Sequence, residues 1–198
     1  MTTWTEPPAW EERYGGTTAV WSGHPNRWLV HEASGLAPGT ALDAGCGEGG
    51  DALWLAAHGW RVTAVDFAAA GLARAAAADP DGQVQWVRAD LRSWIPPASY
   101  DLVSVQFLHP AADVRAAVLA RLAAAVAPGG TLLVVGHNVA GMGGHHPDGM
   151  YPGAAELAAE LDPAGWEIVA EDRQRPATGH ETDHGTTLTD AVLVARRR

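Results

Sequence analysis

Short apolar runs alternate along the chain with segments whose apolar residues recur every three to four positions. Short runs bounded by turn-forming residues predict strands, and the three-to-four spacing predicts helices packed on a sheet. The predicted strands are 40–43, 61–66, 83–88, 100–106, 131–136, 166–170 and 188–195. The predicted helices between them are 51–58, 68–78, 111–127 and 154–161.

Strands that alternate with helices predict an α/β fold, here a doubly wound, mostly parallel seven-stranded sheet with helices on both faces. Only a polar linker, 173–187, separates the last two strands, which leaves no room for a crossover helix. Short connections join antiparallel neighbours, so we expect the seventh strand to run against the others.

Residues 1–39 precede the first strand and are typical of two short helices. A pair of glycines ends the first helix, and Asn26 is a good N-cap for the second. The aromatic residues of this segment either pack on the core or cover a ligand. We expect a single domain over 1–198, with 1–39 as a helical flap above the site and 40–198 as a Rossmann-like core.

The composition is that of a globular domain, with 47% hydrophobic and 18% charged residues among 198. No apolar run approaches the roughly 20 residues that span a bilayer, and no segment is typical of a signal peptide. The single cysteine, Cys46, cannot form an internal disulfide, which fits a cytoplasmic protein. A net charge of −10 argues against nucleic acid as a partner, and we expect a monomer or a homodimer.

A glycine-rich turn follows the first strand, where Asp43 is succeeded by several closely spaced glycines. Glycine there lets the backbone adopt positive φ and approach a nucleotide-like ligand closely. Gly45, Gly47 and Gly50 satisfy the G-x-G-x-x-G pattern of nicotinamide-dependent enzymes. Gly45, Gly47 and Gly49 satisfy the G-x-G-x-G pattern, behind an acid, of enzymes that use S-adenosylmethionine (SAM). The turn alone fits both patterns.

Four features, in this order and spacing, resemble the class I SAM-dependent methyltransferases. They are Leu-Asp-Ala-Gly-Cys-Gly-Glu-Gly at 42–49, Val-Asp at 65–66, Ala-Asp-Leu at 89–91 and Ala-Pro-Gly-Gly at 127–130. Near the N-terminus, Trp-Glu-Glu-Arg-Tyr at 10–14, Trp21 and Pro-Asn-Arg at 25–27 are similar to small bacterial tellurite-resistance and thiopurine (thiol) methyltransferases. The resemblance implies SAM as the cofactor.

The resemblance also implies a set of cofactor-binding residues at the carboxyl ends of the strands. Asp43 would hold the turn or reach the ammonium group of SAM through water, Asp66 would accept both ribose hydroxyls, and Asp90 would accept from the adenine amino group. The other expected contacts are Gly45, Cys46, Gly47, Gly49, Phe67, Leu91, Gln106, Tyr14 and Trp21. Cys46 is expected to be a small turn residue and no nucleophile.

The residues nearest the methyl acceptor follow the fourth and fifth strands. His109 and His137 both fall at the ligand edge, where each either acts as a base, positions the acceptor, or bonds loop backbone. A thiol has a pKa of about 8.5 and is partly ionised at neutral pH, so its methylation does not require a base. No metal is expected, because the spacing of His145, His146, His180 and His184 fits no recognised site.

The sequence therefore predicts a SAM-dependent enzyme that methylates a small molecule, with a thiol or chalcogen acceptor favoured by resemblance. An O- or N-methyltransferase of small metabolites is an alternative, as are a nicotinamide-dependent oxidoreductase and a non-catalytic SAM-binding protein. After the fourth strand, nucleic-acid amino-methyltransferases have the pattern Asn/Asp-Pro-Pro-Tyr/Phe. This chain has Gln-Phe-Leu-His at 106–109, which argues against a nucleobase acceptor.

Overall fold

A computed structural model describes residues 7–16, 18–139, 150–177 and 187–198. Seven strands form one sheet in the order β3-β2-β1-β4-β5-β7-β6. The strands are β1 (Thr40–Ala44), β2 (Arg61–Asp66), β3 (Val84–Arg88), β4 (Tyr100–Gln106), β5 (Val126–Asn138), β6 (Trp166–Pro176) and β7 (Thr187–Arg197). The helices are α1 (Pro7–Tyr14), α2 (Arg27–Ala33), α3 (Gly50–Ala57), α4 (Ala69–Ala77), α5 (Ala112–Ala124) and α6 (Ala154–Ala158).

The strand directions confirm the fold class expected from the sequence. Strands β3, β2, β1, β4 and β5 pair in parallel, and β7 pairs antiparallel with both β5 and β6. Because β7 runs against β5, its first residues lie beside the last residues of β5, and Asp190 pairs with His137. The beginning of β7 therefore joins the carboxyl edge of the parallel strands, where this fold binds its ligands.

Apolar side chains bury both faces of the sheet. On one face, Leu29 of α2 and Leu55 of α3 pack against a cluster that includes Val62 and Leu133. On the other face, α5 and α6 pack against a second cluster built from their buried leucines and the opposite sides of the same central strands. Burial of apolar area at roughly 25 cal/mol per Å² makes these two layers the main stabilising contribution.

The amphipathic helix after β4 ends earlier than its periodicity predicts. Residue 126 belongs to β5 and pairs with Tyr100, so α5 stops at Ala124 instead of residue 127. The next pair joins Leu102 to Thr131, which leaves a Pro-Gly-Gly bulge in β5 rather than a break before it. Tertiary pairing with β4 outweighs the helical spacing there. The sixth strand is also longer than predicted, because it pairs with β7 along its whole length.

None of the helices in the described ranges is both long enough and apolar enough to cross a membrane.

Candidate functional site

The glycine-rich turn between β1 and α3 folds back onto β2. The amides of Gly45 and Cys46 both donate to the carbonyl of Val65, and the amide of Gly49 donates to the carbonyl of Cys46. Gly45, Gly47 and Gly49 have φ of 81°, 52° and 84°. These left-handed conformations suit glycine and strain other residues, so the alternating glycines of the motif are needed by the backbone itself.

The space around each glycine differs. A Cβ on Gly49 would lie 2.6 Å from Trp86 and 2.9 Å from Ala75, so packing of β3 and α4 fills that side of the turn. A Cβ on Gly47 would lie 2.7 Å from the hydroxyl of Tyr14. The glycine pattern predicts positive φ or close approach to a ligand; positive φ is observed at both positions, and their Cβ positions face protein side chains.

The carboxylate of Asp66 ties two loops together at the end of β2. Its Oδ2 accepts from the amide of Gly47 at 2.9 Å, and its Oδ1 accepts from the amide of Ala68 at 2.8 Å. Asp66 is nearly buried, and burial raises its pKa while the bonds from the backbone oppose that rise. Each oxygen keeps a second lone pair, so the carboxylate can still accept from hydroxyl groups of a ligand.

Two further carboxyl groups lie beneath the turn, of which Asp43 is buried and Asp51 half-buried. Burial, with Asp51 and Asp66 nearby, raises the pKa of Asp43 well above its ordinary value. Burial also raises the pKa of Asp51 to about 6, although its Oδ1 accepts from the amide of Asn26. Oδ2 of Asp43 has no hydrogen-bond partner among the described residues. A cationic ligand group at the turn would favour the ionised forms of these carboxyl groups, so the turn suits a cation.

Replacing Asp51 with asparagine is expected to stabilise the protein more at pH 7 than at pH 4, by about 2 kcal/mol. The folded-state pKa of Asp51 lies near 6, above the unfolded value of about 3.9. Its contribution to stability is therefore fully present below pH 4 and is lost as the pH rises through 6. Urea unfolding of both proteins at the two pH values measures the difference.

The matched control is Asp81→Asn, because Asp81 is exposed in the turn after α4. Its effect on the free energy of unfolding should be equal at pH 4 and pH 7. An Asp51→Asn effect that is equally independent of pH would contradict the burial of this carboxyl group.

The N-terminal segment is bound over the turn by Glu48. This carboxylate accepts from the amides of Val20 and Trp21 and from the guanidinium of Arg74. The indole of Trp21 donates to the hydroxyl of Tyr14 at 3.0 Å, and burial raises the pKa of Tyr14 to about 12. Tyr14 and Trp21, both expected near the cofactor, therefore lie against Gly47.

The side chains that follow β2 and β3, namely Phe67, Asp90 and Leu91, differ in their burial and in their contacts. Phe67 is half-buried, whereas Leu91 is buried within the core on the α5 side of the sheet. The carboxylate of Asp90 accepts from the Nε and Nη2 of Arg92, and these bonds lower its pKa. An adenine amino group would have to compete with Arg92 for Asp90.

His109 is held as a neutral acceptor. The amide of His137 donates to its Nε2 at 3.1 Å, so the proton of the neutral ring lies on Nδ1. Burial, with His137 beside it, lowers the pKa of His109 to about 3. His109 therefore matches the loop-bonding role that the sequence left open, and its weak basicity argues against proton transfer.

His137 faces a carboxylate that sequence reasoning missed. Its Nδ1 lies 3.6 Å from Oδ1 of Asp190, which is fully buried. Oδ2 of Asp190 accepts from the indole of Trp28 at 2.9 Å and from Nε of Arg175 at 2.6 Å. Burial acts to raise the pKa of Asp190, but its bonds with these neighbours outweigh that and lower it. The sequence signal that could have identified Asp190 is an acidic residue near the start of an apolar strand, β7, which begins at the ligand edge.

The remaining predicted residues are Gln106, Cys46 and the histidines considered as metal ligands. The side-chain amide of Gln106 donates to the hydroxyl of Ser104 at the end of β4. Burial, together with Asp43 and neighbouring acids, raises the pKa of the Cys46 thiol well above its ordinary value, so the thiol stays protonated. No group of three metal-ligating side chains occurs within the described ranges, and His145, His146, His180 and His184 lie outside them.

Comparison with protein families gives a match at residues 41–130 to a methyltransferase domain. An uncharacterized methyltransferase of Mycobacterium tuberculosis is 44% identical over 96 residues, which are 48% of each chain. A trans-aconitate 2-methyltransferase of Azoarcus sp. is 37% identical over 98 residues, or 48% of this chain and 38% of the relative. The chain thus matches about half the length, or less, of these curated relatives.

Solved structures share the whole fold at low identity. TehB from Haemophilus influenzae has a TM-score of 0.75 at 17% identity, covering 97% of this chain and 67% of TehB. The N-methyltransferase NodS from Bradyrhizobium japonicum, in complex with S-adenosyl-L-homocysteine (SAH), has a TM-score of 0.72 at 18% identity over 97% of both chains. These likenesses establish the fold predicted from the sequence.

Proposed function

We propose that this chain, whose residues 41–130 match a methyltransferase domain, transfers a methyl group from SAM to a small molecule. When bound, SAM supplies a methyl carbon that its sulfonium charge has already activated. Asp66 would hold the ribose, and Asp43 would face the ammonium group. Alignment of acceptor, methyl and sulfur is the main task left to the protein, and it is worth several kcal/mol.

The observation that carries this proposal is the cluster of three carboxyl groups at the turn. Burial raises the pKa of Asp43 and of Cys46, and the neighbouring carboxyl groups, Asp51 and Asp66 among them, add to both shifts. Asp51 occupies the first turn of α3, where a nicotinamide cofactor would place its pyrophosphate. Repulsion there disfavours a dinucleotide, whereas SAM brings a sulfonium and an ammonium charge.

SAH at a hundred times its dissociation constant is expected to raise the melting temperature by roughly 5–10 °C. The same concentration of NAD or NADP should leave it unchanged, because the acids at the turn repel a pyrophosphate. Differential scanning fluorimetry measures both effects. Stabilisation by NAD or NADP without stabilisation by SAH would overturn the proposal in favour of an oxidoreductase.

For the acceptor, we propose a small thiol or a related chalcogen compound. The sequence resemblance to tellurite-resistance and thiopurine enzymes supports this class. A carboxylate acceptor is the second candidate, because one relative is a trans-aconitate 2-methyltransferase. SAH production from SAM should be measured with a panel of small thiols, phenols, amines and trans-aconitate. Turnover of trans-aconitate alone would replace the thiol with a carboxylate, and SAH binding without turnover would indicate a binding protein.

A further inference from the structure

We infer that His137 is the general base of the proposed methyl transfer, that Asp190 positions it, and that the acceptor carries a proton at neutral pH. The inference deepens the proposed function and rests on it. It assigns roles to Asp190, Trp28 and Arg175, which no motif in the sequence identified.

The ring of His137 is fixed on three sides. It stacks on Phe107 with a centroid distance of 4.4 Å and on His109 at 5.2 Å with an interplanar angle of 11°. Its Nδ1 edge faces Oδ1 of Asp190 at 3.6 Å, which is an ion-pair distance slightly longer than a hydrogen bond. The side chain is nevertheless 37% exposed, so the ring reaches the surface at the ligand edge.

Asp190 has the properties of a positioning group. It is fully buried, and Trp28 and Arg175 both donate to Oδ2, which fixes the orientation of the carboxylate. Oδ1 has no hydrogen-bond partner among the described residues and lies 3.6 Å from Nδ1 of His137. A carboxylate can only accept, so shortening this 3.6 Å contact to a hydrogen bond would select the tautomer of His137 with the proton on Nδ1 and leave Nε2 as the basic nitrogen.

The other charged and titratable groups around His137 do not replace it. His109, from the loop after β4, uses Nε2 to accept from the amide of His137 and stays neutral. The ring of Tyr151 lies against His109, with a centroid distance of 4.8 Å and an interplanar angle of 51°. Arg175, from β6, donates to Asp190. Among these groups, we therefore assign the role of base to His137.

The base defines the class of acceptor. The acceptor atom forms a bond to the methyl carbon as the carbon–sulfur bond breaks with its electron pair going to sulfur, and the acceptor's proton passes to Nε2 of His137. Asp190 stabilises the imidazolium, which returns its proton to water after product release. A carboxylate acceptor is already ionised and gains nothing from this base. A thiol or a hydroxyl group, which is still protonated at neutral pH, gains from it.

The test compares His137→Gln and Asp190→Asn with His58→Gln, an exposed histidine at the end of α3. A thiol of pKa about 8.5 is roughly 3% ionised at pH 7, so losing the base should lower kcat about thirtyfold there. The deficit should disappear above pH 9, where the thiol ionises by itself. Asp190→Asn should lower kcat about tenfold at pH 7, and His58→Gln should match the wild type.

Nitrogen-15 NMR of the histidine side chains gives a readout that needs neither SAM nor turnover. In the wild type, the neutral ring of His137 should carry its proton on Nδ1, and Asp190→Asn should convert it to a mixture of tautomers. The signal is assigned by its loss in His137→Gln. A wild-type ring protonated on Nε2 would overturn the inference.

The kinetic outcomes separate this inference from the proposed function. A His137→Gln deficit that persists at every pH, or no deficit with a thiol at pH 7, overturns the base while leaving methyl transfer intact. Turnover of trans-aconitate alone, at a rate that His137→Gln leaves unchanged, would also overturn the base while leaving methyl transfer intact. Absence of both SAH binding and turnover in the wild type overturns the proposed function, and with it the role of His137.

Discussion

Replacing Gly49 with alanine is expected to lower the free energy of unfolding by about 4 kcal/mol. A Cβ there would lie 2.6 Å from the ring of Trp86 and 2.9 Å from Cβ of Ala75, and both belong to elements fixed in the sheet and its helix layer. Overpacking of this kind costs roughly 1–3 kcal/mol. The left-handed φ of 84° adds about 1–2 kcal/mol for any residue other than glycine. Urea unfolding of wild type and variant measures the loss.

Gly82→Ala is the matched control. Gly82 has a φ of 62°, but a Cβ there would meet no atom within 4 Å. The variant therefore measures the cost of the left-handed backbone conformation alone, and we expect the free energy of unfolding to fall by only about 1 kcal/mol. Equal losses in the two variants would mean that Trp86 and Ala75 yield to the new methyl group, which would contradict the close packing beneath the turn.

Replacing Asp66 with asparagine is expected to weaken SAH binding about a hundredfold, if the proposed function is right. The two oxygens of Asp66 accept from the amides of Gly47 and Ala68, and asparagine offers a single acceptor oxygen. Its NH2 group would face one of those backbone donors, so one bond that orders the turn is lost. A charge-assisted bond of this kind is worth about 1.5–3 kcal/mol, and 2.8 kcal/mol corresponds to a hundredfold change in affinity.

Isothermal titration calorimetry with SAH measures the affinity of Asp66→Asn, and Asp81→Asn serves as the control. Asp81 is an exposed aspartate outside the site, so its amide should change neither the affinity nor the melting temperature. A melting curve of Asp66→Asn without SAH separates lost affinity from lost folding. Affinity within threefold of the wild type would contradict the role of Asp66 as an anchor of the turn.

These variants also distinguish two reasons for a glycine-rich motif. At Gly47 and Gly49 the backbone adopts positive φ, and protein side chains occupy the positions where a Cβ would lie. The motif therefore specifies how α1, α4 and β3 pack on the turn as well as how closely a ligand approaches. A pattern match alone cannot separate these reasons, because it contains no information about which residues from distant elements come near.

Much of the cofactor side of the site was predictable from the sequence, because it depends on local chain features. Asp43 and Asp66 end apolar strands that are consecutive in the chain, and parallel strands bring their carboxyl ends to one edge. The glycine spacing likewise requires only the local φ values of the turn. The fold class follows from the same alternation of strands and helices.

The histidine side of the site depends on pairing between distant segments. His137 and Asp190 meet because β7 runs antiparallel to β5 in one register, and a shift by one residue would move Asp190 to the other face of the sheet. The Nε2 of His109 accepts from the amide of His137, a contact between the loop after β4 and the end of β5. Such contacts are set by register and packing, which no local pattern specifies.

The sequence by itself determined the alternating fold, the antiparallel seventh strand and the glycine-rich turn with its acids. Each of these follows from apolar periodicity, connection length or backbone conformation, which are properties of contiguous residues. The tertiary structure decided the pairing of His137 with Asp190 and the packing of Trp86 against Gly49. Those contacts join residues far apart in the chain, whose proximity exists only once the sheet has formed.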